Sequence, residues 1–101
     1  MGATVTETGS SIEEVLQKIK EQIKAAFTMQ PDSDIVVHNK KMDEFHLYKV
    51  VLSVDGPELG IELIEIPLDS PINLATQCAI QVHSHYGKKT RDAWSGCVHF
   101  E

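Results

Sequence analysis

No stretch of this 101-residue sequence approaches the roughly 20 consecutive apolar residues that cross a bilayer, and no basic start leads into an apolar segment as a secretory signal would. Cytoplasm is therefore the expected location, with no membrane partner. Cations are also scarce: 9 Lys and Arg stand against 15 Asp and Glu, for a formal charge of −6. Phosphate recognition requires clustered Lys and Arg to displace counterions, so nucleic acid is not an expected partner. From Val50 to Gly87 there is no Lys or Arg, yet Asp55, Glu58, Glu62, Glu65 and Asp69 all fall there. Such a stretch would steer a basic partner, or simply keep strands and turns soluble.

Neither Asn39 nor Asn73 begins a glycosylation sequon, and the opening Gly2 with Thr6 matches only the bare, uninformative myristoylation pattern. There are two cysteines, enough for one disulfide. Read as strand residues, Cys78 points inward and Cys97 outward, so a bridge would have to cross the sheet, and reduced thiols are expected.

What remains is an ordinary globular composition, 42% hydrophobic and 24% charged. The length suits one domain, placed at residues 10–101. Residues 1–9 offer, after Met1, Val5 as their only sizeable apolar group and are expected to be a flexible segment. Ser10 and Ser11, each with a Glu three residues on, mark a helix start. Ile12, Val15, Leu16, Ile19, Ile23, Ala26 and Phe27 then recur at three- and four-residue intervals, one stripe on a helix of about five turns that ends before Pro31.

Strands follow. Asp34 to His38 is short, and Glu44 to Val54 sets Tyr48, Val50, Leu52 and His46 on one face and Phe45, Leu47 and Val51 on the other. Leu59 to Pro67 is the third. Leu74 to Glu101 reads as a long β-hairpin whose dry side carries Cys78, Ile80, Val82, Trp94, Val98 and Phe100 and whose wet side carries His83, His85, Cys97 and His99. The expected fold is α+β: one N-terminal amphipathic helix packed on a five-stranded, mostly antiparallel curved sheet. In architecture alone this resembles cystatin-like or cone-shaped folds, which implies nothing about function.

The leading functional expectation is a small acidic interaction or inhibitor module. One helix shields one side of a sheet, so Phe45, Leu47 and Val51 call for cover by a protein partner or a second copy, with Glu58 and Glu65 among the acids that would steer it. The alternative is zinc or copper binding by His83, His85, Cys97 and His99, since imidazole and thiolate are the preferred ligands of both and residues two apart on a strand point the same way. A Cys97 nucleophile with a histidine base lacks an orienting third group. An acid/base pocket around Glu62 or His46 is a further reading, in a chain too short to enclose much volume. No cofactor and no catalytic residue is assigned.

Overall fold

In the computed structural model, residues 3–26, 30–55, 58–76, 78 and 93–100 are described. The elements run β1 (Ala3–Gly9), α1 (Ile12–Ala25), β2 (Ile35–Asn39), β3 (Glu44–Asp55), β4 (Glu58–Ile66) and β5 (Trp94–Phe100). The five strands form one antiparallel sheet in the order β1-β5-β2-β3-β4, with the helix packed on one face. This is the α+β arrangement expected. Among the described residues no helix is long and apolar enough to cross a membrane.

Helix α1 begins where its serines allow. Ser11 is the cap, its hydroxyl accepting from Glu14 N at 3.2 Å, while the Glu14 carboxylate reaches back to Ser10 N and Oγ, both at 2.9 Å. Those bonds hold the Glu14 carboxyl below its usual range, with Lys18 adding its charge. The Lys18 ammonium also donates to Thr8 O at 2.7 Å, tying the helix to β1.

The buried stripe Val15, Ile19 and Ile23 meets Ile35, Val37, Tyr48, Val98 and Phe100. Gly96 lies beneath it: a Cβ there would stand 2.6 Å from Val15 Cγ1 and 2.7 Å from Ile19 Cδ1, so glycine is what lets helix and sheet approach. In β5, Val98 and Phe100 are buried and Trp94 half-buried on the helix side, as alternation requires.

Two expectations are corrected. Residues 3–9 are not a loose tail but edge strand β1, paired with β5 from Ala3 opposite Phe100 to Gly9 opposite Trp94. Thr4, Val5, Thr6 and Thr8 are β-branched, and such side chains suit a pleated edge even where apolar groups are few. The first arm of the expected terminal hairpin is not a strand at its described end: Leu74 and Ala75 are irregular, and Thr76 and Cys78 are helical. Residues 79–92, with the rest of that arm and the turn, lie outside the described residues. β5 takes β1 and β2 as its neighbours.

Candidate functional site

The sheet face away from the helix is where sequence and structure converge. Register places Leu47 beside Val36 and Ile66, and Val36 beside Cys97. These residues gather with Cys78 and Ala75 into a second small core, so part of this face is roofed by the chain that follows β4. Asn73 fastens that roof: its side-chain amide donates to Asp32 O at 2.7 Å, its backbone N–H to Asp34 Oδ2 at 2.9 Å, and its carbonyl accepts from Asp34 N at 2.8 Å.

Beyond the roof the face is open. Phe45 is 44% exposed and Ile64 49%, on either side of the Leu47–Ile66 row, with Val51 half-buried beyond Ile64 and Lys49 and Glu62 exposed. Phe45 leans on the His38 ring at a centroid distance of 4.4 Å. The proposed contact set therefore divides. Phe45 and Val51 remain on the open strip, but Leu47, 4% exposed, belongs to the second core. Glu65 lies opposite Tyr48 on the helix side, away from that strip, and the side chain of Glu58 lies outside the described residues. Ile64 was missed, although it shares a strand face with the charged Glu62 two residues away, and that was the signal for it.

Glu65 instead anchors a polar row at the rim of the helix side. Its Oε1 accepts from the Tyr48 hydroxyl at 3.2 Å and stands 3.7 Å from His46 Nδ1, while His46 Nε2 is 3.7 Å from Glu44 and its ring faces Trp94. Burial, then the bond to Glu65 and its charge, push the Tyr48 phenol up to about 12 from 10.0. Folding thus favours the neutral phenol: this contribution is whole below pH 10 and is lost as pH rises through about 12. In a phenolate absorbance titration of the folded protein, one of the two tyrosines should ionise late. Tyr48→Phe should remove the late step and Glu65→Gln should move it earlier; two tyrosines titrating together near 10 would contradict this assignment.

Glu62 borders an open groove of ≈ 370 Å³ between α1 and β4, with Leu16, Lys20, Ile61 and Leu63. Asp43 Oδ1 is 3.0 Å from Nε2 of the buried His38, and Ser95 stands opposite His38 in the register. The Ser95 hydroxyl has no hydrogen-bond partner among the described residues, so the order acid, imidazole, hydroxyl is not joined into a nucleophile and its base.

The cysteines overturn the opposite-face expectation. Cys97 is on the face away from the helix, but it is fully buried, and Cys78, on a helical turn instead of a strand, sits directly over it with the sulfurs 2.6 Å apart. The Thr6 hydroxyl donates to Cys97 Sγ at 3.7 Å. The S–H of Cys78, the Thr6 hydroxyl and the nearby His99 together hold the Cys97 thiol below its ordinary value, against the pull of burial, while Cys78 is pushed up. His99 Nδ1 is 2.5 Å from Asp32 Oδ1, and its backbone N–H donates to Ser33 Oγ at 3.0 Å. Of the four proposed metal ligands, His83 and His85 lie outside the described residues, Cys97 is turned to Cys78, and His99 to Asp32. Among the described residues no three His, Cys, Asp or Glu side chains are grouped to hold a metal ion.

No family model matches this chain, and no curated protein and no solved structure matches it.

Proposed function

We propose that this protein is an interaction module that captures an extended, basic segment of another protein along β4 and the apolar strip beside it. The observation that carries this reading is the exposed Ile64 on an open sheet edge, with the half-buried Val51 on the neighbouring strand: β4 has β3 on one side and no strand on the other among the described residues. An open edge offers unpaired backbone groups to an incoming strand, and the adjoining side chains supply selectivity. The sequence of β4 holds Glu58, Glu62 and Glu65 and no cation, which favours Lys or Arg on the partner. Self-pairing is disfavoured by the same charges, since an antiparallel pair centred on β4 would set Glu62 against its own copy.

A synthetic ten-residue peptide alternating Lys with Val tests the reading by titration calorimetry. Binding should be one to one and weaken as salt is raised. Glu62→Lys and Ile64→Lys should each lower affinity about tenfold or more. Peptide bound equally by wild type and both variants, or not at all, overturns the proposal, as would light scattering that finds β4 buried in a stable dimer.

A further inference from the structure

We propose that Cys78 and Cys97 are a redox couple that closes to a disulfide between the sheet and the segment roofing its outer face, fastening that segment covalently under oxidising conditions and leaving it to noncovalent contacts alone under reducing ones. The proposal is independent of what β4 binds. It rests first on placement. The two sulfurs are 2.6 Å apart, far inside nonbonded contact, and a shift of about half an ångström brings them to bonding distance.

Second, the two thiols belong to separate parts of the fold. Cys97 is in β5, held between β1 and β2, whereas Cys78 is on the segment that Asn73 clamps at its other end. A bond at Cys78 would fix both ends of that short roof over Val36 and Leu47.

The exchange chemistry is asymmetric. The Cys97 thiolate, stabilised by Thr6 and His99, attacks one sulfur of a small disulfide oxidant such as oxidised glutathione, reached when the roof lifts. One glutathione thiolate leaves, and a mixed disulfide forms on Cys97. Cys78 then gives its proton to the departed thiolate, and its sulfur attacks Cys97 Sγ and expels the second glutathione as a thiolate, protonated from water. In sum two protein thiols lose two electrons and two protons, and one glutathione disulfide becomes two thiols.

The test equilibrates the full chain with oxidised glutathione or with dithiothreitol, then measures thiols in denaturant, intact mass and the melting temperature. The expected oxidised product has no titratable thiol, a mass lower by about 2 Da, a peptide crosslinked between Cys78 and Cys97, and a melting temperature higher by on the order of 10 °C. Cys78→Ser should instead retain one glutathione on Cys97 and show no such rise. Two free thiols after full equilibration, or wild type carrying a glutathione on each cysteine, would overturn the proposal.

Discussion

Deleting residues 1–9 is expected to cost on the order of 5 kcal/mol, enough to leave many small domains unfolded at room temperature. The segment supplies seven register positions along β5, from Ala3 opposite Phe100 to Gly9 opposite Trp94, and each ladder bond contributes roughly 0.5–1.5 kcal/mol net. Val5 packs against the main core, and Thr8 receives the Lys18 ammonium, so the loss reaches the helix as well as the sheet. The strand left at the edge would then be β5, which holds Val98, Phe100 and Cys97 in both cores. Urea denaturation of the full and shortened chains measures the difference. A change of less than about 0.5 kcal/mol would mean that residues 3–9 are the loose tail their composition suggests.

Gly96→Val is expected to be the most damaging single substitution, at about 3 kcal/mol or more. Its Cβ would lie 2.6 Å from Val15 and 2.7 Å from Ile19, both fully buried and both on a helix fixed by its cap and by Lys18. Both contact atoms are side-chain tips packed inside the core, so relief requires strained rotamers there or a lift of α1 from the sheet. The lost freedom of glycine in the unfolded chain offsets only about 1 kcal/mol. Gly60→Ala is the contrasting control. There the crowding atom is Ser53 Oγ, the tip of an exposed side chain that can rotate away, so stability should change by no more than about 0.5 kcal/mol. Equal denaturation midpoints for wild type and Gly96→Val would show that the helix does not press on β5 as described.

The candidate site divides along the same line between local pattern and distant contact. Phe45 and Val51 were legible on the face away from the helix because alternation within β3 fixes it. That Leu47, between them, is roofed and unavailable was not legible, because the cover comes from Ala75 and Cys78, far along the chain. Glu65 could be assigned to the strand but not to Tyr48, a pairing set by the β3–β4 register. Gly96 did have a local signal: a glycine amid Trp94, Val98 and Phe100 marks a close approach of another element.

By itself the sequence determined the helix, through three- and four-residue spacing behind a serine cap, the strands β3, β4 and β5, through alternation, and β2, through its short run of β-branched residues. It also determined which face of β5 is dry towards the helix, since the period of a strand leaves no other choice once Val98 and Phe100 are apolar. Only the tertiary structure decided that residues 3–9 complete the sheet beside β5 and that Cys78 rests on Cys97. A strand's pattern states which side it buries but not which neighbour it pairs with. The partner is chosen by the free energy of contacts between segments more than 90 residues apart, as Thr6 and Cys97 are, and no local window contains both.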